Sequence, residues 1–210
     1  VCFCFSDQEG ISFFFISTDY VFDGSNPPYK ETDKTNPLNK YGKTKVQAEE
    51  TILAANPDAC ILRIPVLYGD EEFLGESALS ILLTNLLDSS KQQVVSDYEI
   101  RFPSHCDDIA AILYQLVEKK FQEPGMNGVY QWCGSEPLTK YGMTKIISEV
   151  FNIPMDNITA DPTPSHTAAR PHNTQLCRGR LESLGIGHHT PFRAGIRRSF
   201  CKFVPNHDLS

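Results

Sequence analysis

Ile11-Ser12-Phe13-Phe14-Phe15-Ile16-Ser17-Thr18-Asp19 is a largely apolar run with a polar end, and Tyr41-Gly42-Lys43-Thr44-Lys45 opens a helical pattern soon after it. That helix carries Tyr41, Lys45, Ala48, Ile52 and Leu53 and stops near Asn56-Pro57, because the residue before a proline is pushed out of helical geometry. A second apolar run, Ala59-Cys60-Ile61-Leu62-Arg63-Ile64, follows at once and is apolar on both faces, as a central parallel strand should be. Strand, helix and strand over this length make a βαβ unit, so the expected class is α/β with a parallel sheet.

The same stretch holds the candidate chemistry. An i, i+4 spacing places Tyr41 and Lys45 on one helix face. An ammonium beside a phenol favours the tyrosinate, and such a Tyr serves as a general acid near neutral pH. Thr18 lies at the carboxyl end of the first strand, where its hydroxyl would hold a carbonyl oxygen beside that phenol. The spacing is weak evidence by itself, since Tyr141-Gly142-Met143-Thr144-Lys145 repeats it. Context separates the two. Tyr41 stands between apolar strands, whereas Tyr141 opens a helix that ends at Asn152-Ile153-Pro154, and is expected to pack that helix.

Working outward, Asp23-Gly24-Ser25-Asn26-Pro27-Pro28-Tyr29 and Asn36-Pro37-Leu38-Asn39 read as turns. Beyond Tyr68-Gly69 the expectations are a helix from Ser77 to Leu87 and a short strand at Val94-Val95. A helix started by the carboxylates of Asp107-Asp108 comes next, then a strand from Gly128 to Cys133 and a helix capped at Thr139. Short helices are expected at Arg178–Leu184 and Phe192–Phe203. No glycine-rich turn of the kind that holds a pyrophosphate at a helix N-terminus is present: Gly185-Ile186-Gly187 is the one Gly-x-Gly, and no strand precedes it.

Bulk properties exclude some classes of partner. With 210 residues, a net charge of -7 and a pI near 5.3, the chain does not suit nucleic acid or an anionic membrane as its main partner. Seven cysteines show no Cys-x-x-Cys pair and no metal-ligand spacing with the six histidines, so no metal is expected and a reduced compartment is. His188-His189 reads as a loop tip, and Arg193, Arg197, Arg198 and Lys202 as a solvated helix face. No segment has the roughly 18 apolar residues of a membrane span. The chain does not begin with Met, and the expectation is one shortened at its amino end, with the strand at Phe13-Phe14-Phe15 lacking neighbours and exposing an aggregation-prone edge.

Several motifs together resemble one family. Ser17-Thr18-Asp19-Tyr20-Val21-Phe22-Asp23-Gly24, Pro37-Leu38-Asn39 with Tyr41 to Lys45, and Leu62-Arg63-Ile64-Pro65 with Leu67-Tyr68-Gly69 are similar to the dTDP-4-dehydrorhamnose reductase branch of the extended short-chain dehydrogenases. The likeness continues through Arg101-Phe102-Pro103-Ser104-His105, Leu138-Thr139-Lys140-Tyr141, Arg170-Pro171 with Asn173, and Leu184-Gly185-Ile186-Gly187. This longer series resembles the non-catalytic side of the family, the regulatory subunits of methionine adenosyltransferase, over roughly Ile16 to Phe200.

The resemblance implies an incomplete Rossmann-like NADP-binding part at 1–70 and a smaller α+β lobe at 71–210, part of which returns to the sheet. Tyr41, Lys45 and Leu67 would contact NADP(H), and Thr18, Tyr41 and Lys45 would form a catalytic triad, vestigial in a regulator. Cofactor binding is expected to be weak without the glycine turn. In the regulatory reading the partner is the catalytic alpha subunit of methionine adenosyltransferase, and the place is the cytoplasm and also the nucleus. In the alternative reading, NADPH gives a hydride to a 4-keto sugar nucleotide while Tyr41 protonates the alkoxide. The resemblance also implies Trp in the reductases where this chain has Val66, which favours the regulator. In the regulators the carboxyl terminus reaches into the alpha subunit, but Phe200 to Ser210 is shorter here and matches less clearly. Phe200 and Phe203 are read first as closing the small lobe's core and second as partner anchors.

Overall fold

The computed structural model describes residues 2–7, 10–165 and 168–204, with side chains from Ser12 onward. Strands β1 (Cys2–Asp7), β2 (Gly10–Thr18), β3 (Cys60–Ile64) and β7 (Gly128–Gln131) form one sheet in the order β1-β2-β3-β7. β2, β3 and β7 are parallel, with Ile16 opposite Leu62 and Leu62 opposite Tyr130. β1 is antiparallel to β2, with Phe3 opposite Phe14. This corrects one expectation: the edge of β2 is covered by the chain's own first residues, whose alternating Cys and Phe suit a strand.

Alternation along the strands assigns the two faces. Phe14, Ile16, Cys60, Leu62, Ile64, Tyr130 and Trp132 pack under helix α3 (Cys106–Gln122) through Ile109, Ile112, Leu116 and Val117. The opposite face meets helix α1 (Lys40–Ala55), whose anchor is ionic. Glu49, 4% exposed, accepts from Arg63 Nη2 at 2.6 Å and from Nε at 3.0 Å, while Arg63 lies over the Phe22 ring. Arg63 is the polar residue in an otherwise apolar strand, and Glu49 is the reason it can be buried there.

The other lobe has its own core. Helices α2 (Ser80–Leu87), α4 (Lys140–Phe151) and α6 (Phe192–Phe200) bury Leu79, Leu83, Met143, Ile147, Phe151, Ile196 and Phe200 together. Phe200 is fully buried, so its core role holds, and Phe203 packs against the same cluster. Pro205 to Ser210, the end of the tail read as an anchor, lies outside the described residues. Two short parallel pairs complete the lobe: β4 (Leu67–Tyr68) with β6 (Ser104–His105), and β5 (Gln93–Ser96) with β8 (Ile158–Asp161). A short helix α5 (Gly179–Ser183) precedes α6.

Local chemistry moved several boundaries. α3 is capped by His105, whose Nδ1 accepts from Asp107 N at 3.1 Å, and not by Asp107 or Asp108. Asp108 instead reaches across to the loop before α6, accepting from Thr190 N and Oγ1, both at 2.7 Å, and lying 2.8 Å from His188 Nδ1. α2 starts at Ser80 because Ser77 turns back, its Oγ accepting from Leu79 N and Ser80 N. β7 ends at Gln131, although Trp132 N still donates to the Arg63 carbonyl of β3 at 3.0 Å, and the Gln131 side-chain amide donates to the Tyr29 carbonyl at 2.9 Å.

Candidate functional site

A cleft of about 570 Å³ lies where the sheet's polar end meets the second lobe. Each side is positioned by a helix start. α1 begins after Asn39, whose Oδ1 accepts from Gly42 N at 2.9 Å, and α4 begins after Thr139, whose Oγ1 accepts from Gly142 N at 2.9 Å. Lys40 and Tyr41 at one start, and Lys140 with Met143 at the other, line the cavity. Its apolar floor is Val66, Ala78, Leu79 and Leu82.

The third wall comes from a crossing segment. Residues 171–177 run back beside the loop after β2, with Tyr29 N donating to Gln175 O at 2.8 Å and Cys177 N to Tyr29 O at 2.7 Å. Thr174 donates to the buried Asp19 carboxylate. Burial pushes the Asp19 carboxyl above the ordinary carboxylate range, against the opposing pull of the Thr174 hydroxyl and Arg101. Arg101 is 6% exposed and fixed by three bonds: Nη1 to the carbonyls of Ile100 and Pro171, and Nη2 to Tyr20 Oη at 3.2 Å. Arg170 completes the ring of cations around the cavity. Burial first, then Arg170 and Arg101, lowers the Lys140 amine below its ordinary value.

The residues expected from the motif are placed as follows. Thr18 is buried, its hydroxyl donating to Asp19 Oδ1 at 3.2 Å and accepting from Tyr20 N at 3.2 Å as the cap of the 3-10 turn Asp19–Val21. Tyr41 is 52% exposed at the cleft, its ring edge-on to Tyr20 at 6.1 Å between centroids. Lys45 points down to the sheet, where Nζ donates to Ile16 O at 3.0 Å and lies over the Phe15 ring. Leu67 lines a different cavity, an apolar groove of about 680 Å³ under α3 with Ile16, Ile64, Ile109, Leu113 and Phe121. Tyr41 therefore shares its cleft with Arg101, Lys140 and Arg170, and Leu67 does not. Those cations lie in separate segments of the chain and form no local catalytic motif. Arg101-Phe102-Pro103 and Arg170-Pro171 stood out as family signatures, but only the fold brings them to one cavity.

The described residues fit only one end of a nicotinamide dinucleotide. Tyr41 and the two unused donors of the Lys45 ammonium could meet a ribose. No glycine-rich strand-to-helix turn is available for the pyrophosphate.

Residues 5–204 match the profile of the RmlD substrate binding domain. The chain belongs to that family. The beta subunit of methionine adenosyltransferase 2 from Bos taurus is 45% identical over 196 residues, covering 93% of this chain and 59% of that protein. Its counterpart from Danio rerio is 39% identical, with 96% and 64% covered. A dTDP-4-dehydrorhamnose reductase of Sinorhizobium fredii is 30% identical, with 84% and 62% covered. The chain thus spans about three-fifths of the length of these relatives. Among solved structures, a dTDP-4-dehydrorhamnose reductase ortholog from Clostridium acetobutylicum superposes with a TM-score of 0.73 at 25% identity, over 90% of this chain and 65% of that one. The Bacillus anthracis reductase solved with NADP gives 0.74 at 23% identity, over 90% and 65%. The fold is therefore an incomplete Rossmann-like parallel sheet with a second α+β lobe. No helix among the described residues is long and apolar enough to cross a membrane.

Proposed function

We propose that this chain belongs to a non-catalytic regulatory subunit of methionine adenosyltransferase, which binds the catalytic alpha subunit in the cytoplasm or nucleus and tunes S-adenosylmethionine synthesis. The observation that carries this reading is the 39 to 45% identity, over more than nine-tenths of the chain, to proteins named as beta subunits of that enzyme. A second point agrees with it. Val66 lines the cleft beside Tyr41, in the place where the reductases of the resembled branch carry Trp, so a sugar ring there has less surface to rest on. Thr18, Tyr41 and Lys45 then stand as a vestigial triad. The test is capture of the purified alpha subunit by this chain, followed by its S-adenosylmethionine synthesis rate with and without the chain. If neither capture nor a change in rate occurs, the regulatory reading fails.

The alternative is an NADPH-dependent sugar-nucleotide reductase. What favours it is Tyr41, exposed at a cleft with four cationic side chains. Without a glycine turn, NADPH binding by this chain is expected to be very weak, and micromolar affinity in calorimetry would overturn that. NADPH oxidation with a 4-keto sugar nucleotide, abolished by Tyr41→Phe, is the result that would favour the reductase.

A further inference from the structure

Helix α3 lies on the sheet and α6 lies in the core of the second lobe, so whatever ties these two helices together ties the lobes. The tie is polar and comes from the residues that start α3. Asp108 holds the loop before α6 through Thr190, and Asp107 Oδ2 accepts from Arg198 Nη2 of α6 at 2.8 Å. Beside them stands His105, 1% exposed, which lines neither the cleft nor the groove under α3.

The bonds of this imidazole fix its proton. Nδ1 accepts from Asp107 N at 3.1 Å, so the ring hydrogen sits on Nε2, which donates to Ser199 Oγ of α6 at 3.0 Å. Arg198 Nη2 is 3.1 Å from both ring nitrogens and therefore stands against the ring, not on one lone pair. One neutral tautomer thus caps α3 with one nitrogen and holds α6 with the other. A second proton would have to go to Nδ1, where it would face the Asp107 N–H, donor against donor. It would also set a cation beside the Arg198 guanidinium.

The surroundings agree with this. Burial first, and then Arg198, hold the His105 ring below its ordinary value, while Asp107, Asp108 and Asp70 pull the other way. From β4 the Tyr68 ring meets it edge-on at 5.1 Å between centroids, and burial keeps that phenol and the neighbouring Cys106 thiol neutral in acid. Against its burial, the bonds from Thr190 and His188 hold the Asp108 carboxyl below the ordinary carboxylate range, so it stays charged while an imidazole titrates.

We infer that His105 is an acid-operated latch between the lobes: neutral, it joins α3 to α6, and protonated on both nitrogens, it releases that junction while each core keeps its packing. The inference stands apart from the regulatory reading and holds equally for a reductase. Because the ring takes its second proton more readily once the junction is open, closure is fully favoured above the ordinary histidine value of about 6.5. It is lost progressively as pH falls from there toward the lowered value of the closed state.

The test is amide hydrogen exchange on the whole chain, corrected for the intrinsic effect of pH and read at Asp107, with the amides of β3 as the internal control. Protection at Asp107 should fall by up to about tenfold per pH unit below about pH 6.5, with β3 unchanged. His105→Asn, whose amide oxygen can still cap α3, should abolish the fall. Arg198→Gln removes the opposing cation, so the His105 ring should titrate at higher pH in proton NMR and the total fall should shrink. His188→Asn should leave the fall in place, because a charge on His188 would tighten its contact with Asp108 at 2.8 Å. Constant protection at Asp107 between about pH 7 and pH 5 overturns the inference. So does a fall shared equally by β3, or one that persists in His105→Asn or vanishes in His188→Asn. If His105→Asn does not fold, Arg198→Gln decides, and a ring titration that does not move upward sinks the latch.

Discussion

Two helices of this protein begin with nearly the same words. α1 opens Asn39-Lys40-Tyr41-Gly42-Lys43-Thr44-Lys45, and α4 opens Thr139-Lys140-Tyr141-Gly142-Met143-Thr144-Lys145. Both are capped by a side-chain oxygen accepting from the glycine N–H, at 2.9 Å in each case. They differ in what lies beneath. α1 is held to the sheet by the Glu49–Arg63 pair, and its Tyr41 is left at the cleft. α4 is held by Met143, Ile147 and Phe151, and its Tyr141 packs against that apolar cluster. The motif sets a helix start and a side-chain face, and the surface under the helix decides whether that face is used for chemistry or for packing.

Attacking the two anchors is expected to give the largest effects. Glu49→Ala leaves a buried guanidinium unpaired and should cost about 3 to 5 kcal/mol in urea unfolding. Phe151→Ala empties the other core and should cost a similar 3 to 5 kcal/mol. The distinction appears in the double replacement of Glu49 and Arg63 by apolar residues of like volume, which should recover most of the loss. No second-site change at Arg63 would rescue Phe151→Ala. If Glu49→Ala proved mild, the ionic account of α1 would be wrong.

The glycines sharpen the contrast at a lower level. A Cβ at Gly42 would collide with the Tyr20 carbonyl oxygen and stand 2.8 Å from Pro37 Cβ, because α1 starts hard against the turn after β2. At Gly142 the nearest atom is Thr139 Oγ1 at 3.3 Å. Gly42→Ala should therefore cost about 1 to 3 kcal/mol, and Gly142→Ala should stay within about 1 kcal/mol of neutral. Equal melting temperatures for the two variants would remove the difference argued here.

The smallest effect concerns the paired lysines. Lys140 has its amine lowered by burial and by Arg170 and Arg101, so the unfolded chain holds that proton more tightly than the folded one. Stability should then rise as pH climbs through the lowered folded value toward the ordinary lysine value. Lys140→Gln should raise the melting temperature slightly and flatten that rise, while Lys40→Gln, at an exposed position, should do neither. A fall in stability on Lys140→Gln would mean that the cation contributes to the fold.

The sequence alone determined the βαβ unit, because Phe13 to Ile16 and Ala59 to Ile64 are too apolar to lie anywhere but inside a sheet and Asn56-Pro57 ends the helix between them. It also determined the cap at Thr139, the Tyr41–Lys45 face and the family likeness, all of which are local in the chain. It did not reveal the partner of Arg63, the strand at Cys2–Asp7, or the separation of Leu67 from Tyr41 into different cavities. Above all, the gathering of Lys40, Arg101, Lys140 and Arg170 was decided by tertiary structure. Those four come from segments far apart in sequence, and only the closing of the second lobe on the sheet, with residues 171–177 threaded between them, brings their charges close enough to act as one site.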